Sequence, residues 1–168
     1  TNRIHLNDSA DVHVPAGNAM QLGGPLTTST NTNVLAKSGG GTLVLSGHAS
    51  AFTGGLAVSR GVLRFDAAML TNTVRALVLT NETVLTGTGR WGGSLVARDG
   101  SALAFFPGLS PGDVAPLRAG SFAAIGTVTI AVTPGEGAVA GAYPLLAVDG
   151  TAAGLDSLSL ALASTNFP

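Results

Sequence analysis

The chain has 168 residues, with 8 basic and 9 acidic side chains, a net charge of -1 and no cysteine. That balance excludes disulfide and thiolate-metal frameworks and leaves no basic footprint for nucleic acid or an anionic membrane surface. Charged residues are only 10% of the chain and glycines number 24, so the chain is turn-rich and poor in charge compared with the roughly 25% charged residues of an ordinary globular protein.

Mean hydropathy is +0.43, yet Gly, Ser, Thr or Pro interrupts every apolar stretch before it reaches the about 18 residues of a membrane-spanning helix. The length suits one domain. Thr1 is not preceded by Met or a basic and apolar leader, and the chain reads as an excised piece of a longer protein.

In chain order, Ile4, Leu6, Val12 and Val14 alternate with polar residues and predict two half-buried strands around the turn Asn7-Asp8-Ser9. Pro15-Ala16-Gly17-Asn18 turns the chain, Met20 and Leu22 mark a short strand, and Gly23-Gly24-Pro25 ends it. The polar run 27–33 reads as a loop. Residues 34–65 then carry three short strands, Thr42-Leu43-Val44-Leu45, Leu56-Ala57-Val58-Ser59 and Val62-Leu63-Arg64-Phe65, separated by small-residue turns. Such strands are too short to stand alone and are buried by coiling, each coil laid on the next roughly 4.8 Å away.

Residues 66–72 read as a loop or a single helical turn. Strands are expected again at 74–80, 83–86, 93–97 and 102–106 between Asn-Glu, Gly-Thr-Gly and Asp-Gly turns, then at 121–132, 143–148 and 155–163, with Pro134-Gly135-Glu136-Gly137 turning the chain between them. By pattern alone, ten or more short strands with Gly-rich turns fit a β-sandwich as well as a solenoid.

The order Leu35, Lys37, Gly39, Gly41, Thr42, Leu43, Leu45, Ser46, Gly47, Phe52, Gly54, Gly55, Val58, Gly61, Leu63 resembles the autotransporter-associated β-strand repeat of bacterial surface proteins. It departs at Ala49, where Asn is usual, at Phe52 for Tyr and at Leu56 for Thr. A second stretch, from Gly92-Gly93-Ser94-Leu95-Val96 through Asp99-Gly100-Ser101 to Pro107-Gly108-Leu109-Ser110-Pro111-Gly112, resembles the segment that often follows such repeats. The resemblance implies an all-β parallel β-helix, or β-solenoid, forming one segment over 1–168, with the repeat at 34–65. From about residue 120 the turns lengthen, and an antiparallel β cap over 120–168 is the alternative for that part, since a solenoid needs an atypical end element.

Gly39-Gly40-Gly41 provides a sharp corner between coil faces, because glycine enters positive φ without a Cβ clash. No Gly-Lys-Ser/Thr follows, so a phosphate cradle is not indicated. Leu43, Leu45, Val58 and Leu63 are expected to point inward and stack on the next coil. Lys37, the chain's single lysine, is expected to pair locally or sit in solvent. Trp91, between Arg90 and Gly92, is the candidate ligand contact, an exposed indole able to stack on a sugar ring, with burial at a coil corner as the competing and favoured reading.

His5, Asp11 and His13 are the cluster of metal-capable residues, and solvation on an end strand outweighs metal binding. Asp99, Asp113, Asp149 and Asp156 read as turn residues, and no Gly-Gly-x-Gly-x-Asp calcium repeat occurs. The acidic residues are mostly isolated, and Gly-x-Ser-x-Gly is absent, so neither paired-carboxylate nor serine chemistry is indicated.

The expected function is therefore a non-catalytic stalk segment of a secreted passenger at the bacterial cell surface, without cofactor or metal. Its expected partners are the neighbouring coils of the same parent chain, with neither nucleic acid nor membrane insertion. A glycan-binding adhesin module meeting a host or polysaccharide surface is the second reading, and a carbohydrate-active β-helix enzyme the third.

Overall fold

Two-residue alternation along short strands buries one side of each, and stacking strands in register turns those sides into continuous columns. The computed structural model describes residues 3–47, 51–71, 73–105, 115–133 and 142–162. Ala49, Asn72, Phe106, the 107–112 loop, Asp113 and the 134–137 turn lie outside the described residues. Each coil passes through three strand positions, so that three parallel stacks line one core.

The strands are β1 (Ile4–Leu6), β2 (Ala10–His13), β3 (Ala19–Leu22), β4 (Leu26–Thr28), β5 (Val34–Ser38), β6 (Thr42–Leu45), β7 (Gly55–Val58) and β8 (Gly61–Leu70). They continue as β9 (Leu77–Leu79), β10 (Thr83–Arg98), β11 (Ala102–Phe105), β12 (Leu117–Ile125), β13 (Val128–Val132), β14 (Leu146–Val148), β15 (Ala152–Ala153) and β16 (Leu158–Leu162), with a 3-10 turn at Leu155–Ser157.

The first stack runs β2, β5, β7, β9, the end of β10, the end of β12 and β15. The second runs β3, β6, then the starts of β8 and β10, then β11, β13 and β16. The third pairs β1 with β4, and further along joins the end of β8, the middle of β10, the start of β12 and β14. Coils are numbered here by their first-stack strand, so β5 lies in coil 2 and β9 in coil 4.

Register sets the core. Leu35, Leu56, Leu77, Leu95 and Phe122 are consecutive partners and all buried, as are Leu43, Leu63, Leu85 and Leu103 in the second stack. Each leucine sits on its counterpart about 4.8 Å away, so a short strand that could not fold alone is held from both sides.

The structure differs from the sequence expectations in particular places. Residues 66–70 are strand, not loop or helical turn: β8 continues through them with a bulge at Ala67, whose φ is +52°, bringing Ala68 and Leu70 back to the core. The expected strands at 83–86 and 93–97 are parts of one bent strand, β10, whose glycines let it serve all three stacks. At Gly92 a Cβ would run into the Thr71 carbonyl of the coil before, so only glycine permits that approach. Thr27 and Thr28, expected in the loop 27–33, are the end of strand β4.

The antiparallel cap is also corrected. Every pairing among the described residues from 117 to 162 is parallel: β12 with β14 and β15, and β13 with β16. Strand direction is kept there, and Ile130 and Val132 take the register positions of Leu103 and Phe105 in β11.

Candidate functional site: the coil corners

Leu35 and Lys37 share parity on β5, and Leu35 faces the core, so Lys37 must face it too. Its register partners are Val12 and Val58, and the side chain is 0% exposed. Of the two expectations for this lysine, solvation is therefore corrected, and local pairing is what the buried side chain makes. The four-carbon stem occupies an apolar column and the ammonium ends at the corner between the first and second stacks.

There Nζ donates to three backbone carbonyls, those of Ser38 (3.2 Å), Gly39 (2.6 Å) and Arg60 (2.7 Å). An ammonium has three protons, and each finds an acceptor. Burial pushes the Lys37 amine below the usual lysine range, opposed by the charge of Asp11. The Arg60 carbonyl belongs to the next coil, so one side chain ties two corners together.

The next corners hold the same backbone differently. Thr83 and Ser101 are buried, and their hydroxyls donate to the carbonyls of Thr80 and, at 2.6 Å, of Arg98. Gly61 pairs with Thr83, and the pairings Thr42 with Val62 and Val84 with Ala102 align Gly41, Gly61, Thr83 and Ser101 in one column. Ser38, Thr80 and Arg98 likewise follow the aligned residues Lys37, Leu79 and Ala97.

Trp91 lies at the other end of the coil, at the corner leading into the first stack. It is 1% exposed, donates Nε1 to the Arg75 carbonyl at 3.2 Å and packs against Phe52 with ring centroids 6.2 Å apart and planes tilted by 59°. Its face is not available to a sugar ring, which removes the candidate ligand contact and leaves the competing reading, a corner filled by an indole whose N–H has a partner. Nearby, the Thr73 hydroxyl donates to the Leu70 carbonyl and accepts from Gly93 N–H at 2.9 Å.

Most of the repeat residues do structural work. Leu43, Leu45, Phe52, Val58 and Leu63 are in the core, and Thr42 begins β6. Gly39 and Gly61 have φ of +75° and +78°, and a Cβ on Gly61 would meet the Gly41 carbonyl at 2.6 Å. At Gly41, Gly47 and Gly54 the obstacle is likewise a backbone carbonyl of the preceding coil or turn: those of Pro15, Gly24 and Asn33. Gly55 accepts ordinary contact distances, with 3.4 Å to the Ala76 carbonyl.

The His5, Asp11 and His13 trio divides. His5 bonds Thr27 Oγ1 at 2.7 Å on the third stack, whereas His13 and Asp11 both meet the Ser38 hydroxyl on the first, at 3.1 and 2.7 Å. On the outer surface Asp149 accepts from Arg90 at 2.8 Å and Arg118 at 2.9 Å, two arginines held in register. The hydrogen bond from Arg118, helped by the charges of Arg90 and Arg118 and opposed by desolvation, holds the Asp149 carboxyl below the usual carboxylate range.

Residues 35–65 match the family model described as the passenger-associated-transport-repeat. This stretch, which supports the resemblance to an autotransporter passenger repeat, holds Lys37, its corner glycines and the carbonyls it caps. No curated protein and no solved structure matches the chain.

Proposed function

We propose that the chain is a single non-catalytic solenoid segment of a larger secreted passenger, a stalk that holds other regions of its parent chain away from the bacterial cell surface. The observation that carries this reading is the parallel stacking of the described strands, continuous along the first and second sides, in which polar backbone is satisfied by the next coil and the indole offered for ligand contact fills a corner instead. Load applied along such a stack is shared by rows of backbone hydrogen bonds. Its partners are the coils before and after it in the parent chain, with neither nucleic acid nor a bilayer among them. An adhesive role loses its specific support with the burial of Trp91.

The test deletes residues 3–162 from the parent protein and measures projection from the cell surface by electron microscopy together with host-cell and glycan binding. Seven coils at about 4.8 Å each predict a projection shorter by about 30 Å with binding retained. Lost binding at unchanged length would overturn the stalk reading in favour of the adhesin.

A further inference from the structure

The corner column Gly41, Gly61, Thr83, Ser101 changes character halfway along, and the first-stack column beside it runs Lys37, Val58, Leu79, Ala97, with its one charged residue at the first of the two glycine corners. Where the corner residue is glycine it has no side chain to offer the turning carbonyls, and Lys37 reaches those of Ser38 and Gly39 from the strand before and that of Arg60 from the previous coil. Where the corner residue carries a hydroxyl, that hydroxyl caps the carbonyl three residues back and the strand position is apolar. We propose that Lys37 is a conformational lock on the first-to-second corner of coils 2 and 3, the cationic counterpart of the hydroxyls of Thr83 and Ser101, and that the corners open in separate units along the solenoid.

Two features make the lock local. Lys37 spans two coils, since Ser38 and Gly39 belong to one and Arg60 to the next, so its release frees both corners together. The caps from Thr83 and Ser101 each reach back only within their own corner, so neither depends on Lys37. The lock does not rest on the stalk reading: it holds equally for a solenoid that binds a ligand.

Lys37 carries the chain's only side-chain amine, which makes opening directly measurable. Acetylation of the folded chain with an N-hydroxysuccinimide ester, read by mass spectrometry, is expected to label Lys37 at least about 100-fold more slowly than in the denatured chain. In low denaturant its rate should follow exchange of the Gly41 and Val62 amides, which donate to the Val14 and Gly41 carbonyls. In Lys37→Met, exchange at Gly41, Gly61 and Val62 should accelerate by about 30-fold or more, with Gly100 and Thr129 changed by less than about twofold. Ser101→Ala should do the reverse, accelerating Thr129, which donates to the Ser101 carbonyl, and sparing Gly41. Equal acceleration in all coils, or Lys37 labelling only on global unfolding or as fast as a free lysine, would overturn the proposal. The labelling of the unaltered chain decides the matter even where Lys37→Met does not fold.

Discussion

Coils 2 and 3 and coils 4 and 5 turn the same corner with different chemistry. In the first pair the corner column is Gly41 and Gly61, and the buried ammonium of Lys37 donates to the carbonyls of Gly39 and Arg60, with the Thr80 hydroxyl of the following coil donating to those of Val58 and Ser59. In the second pair Thr83 and Ser101 supply the donors, with Leu79 and Ala97 in the strand column where Lys37 would be. A backbone that turns inside a protein exposes carbonyls that water cannot reach, and each needs a donor from somewhere. The difference teaches that the fold conserves the need for a donor and not the residue that meets it. Coils 4 and 5 therefore continue the solenoid without the lysine and glycines of the repeat.

The largest expected effect comes from Lys37→Met, which keeps the stem but removes the ammonium from three corner carbonyls. Because the Ser38 carbonyl keeps the Val14 N–H, the Gly39 and Arg60 carbonyls are the ones orphaned, and the change is expected to cost about 3 kcal/mol and lower Tm by roughly 6–12 °C, measured by calorimetry. An unchanged Tm would mean that water replaces the ammonium freely and the two corner types are not equivalent.

Gly61→Ala attacks the same corner through its backbone. The residue sits at φ +78° with carbonyls of Gly41 and Gly39 at 2.6 and 2.7 Å from the added Cβ, so a loss of about 2 kcal/mol or more in urea unfolding is expected. Smaller again is Ser101→Ala, expected to cost about 1 kcal/mol by the same measurement, because one neutral cap is lost and not three charge-assisted ones.

Two pH effects separate the regions further. The folded-state pKa of Lys37 is lowered, so between that value and the ordinary lysine range the unfolded chain binds more protons than the folded one. Stability should therefore rise as pH rises through that window, and Lys37→Met should abolish the rise in urea titrations at alkaline pH. Asp149 gives the smallest effect. Its folded-state pKa is below the ordinary carboxylate value of about 3.9, so its contribution is present above that value and fades as pH falls through the folded one. Asp149→Asn should flatten this acid limb slightly while leaving the alkaline limb untouched.

Much of the solenoid is legible in the sequence. Leu43, Leu45, Val58 and Leu63 announce their inward positions by two-residue alternation, and Gly39 and Gly61 announce corners because few other residues adopt positive φ. Lys37 was legible in part: it shares parity with the apolar Leu35 and precedes three glycines that have no side chains to cap their own turn. A rule that places a charged residue in solvent hides it, because the rule does not count the carbonyls a buried corner leaves open. Trp91 was ambiguous between surface and corner for a similar reason, since only the Arg75 carbonyl and the ring of Phe52 show which way the indole points.

By itself the sequence determined the strand alternation, the glycine corners and, at 35–65, the match to the passenger-associated-transport-repeat. Those are local properties, set by backbone freedom and by the parity of apolar side chains. Only the tertiary structure decided that β10 serves three stacks, that residues 117–162 pair in parallel, and that the lysine and the tryptophan are corner pieces. Each of those depends on a carbonyl or a strand contributed by another coil roughly 20 residues away, and short-range pattern carries no information about which donor reaches it.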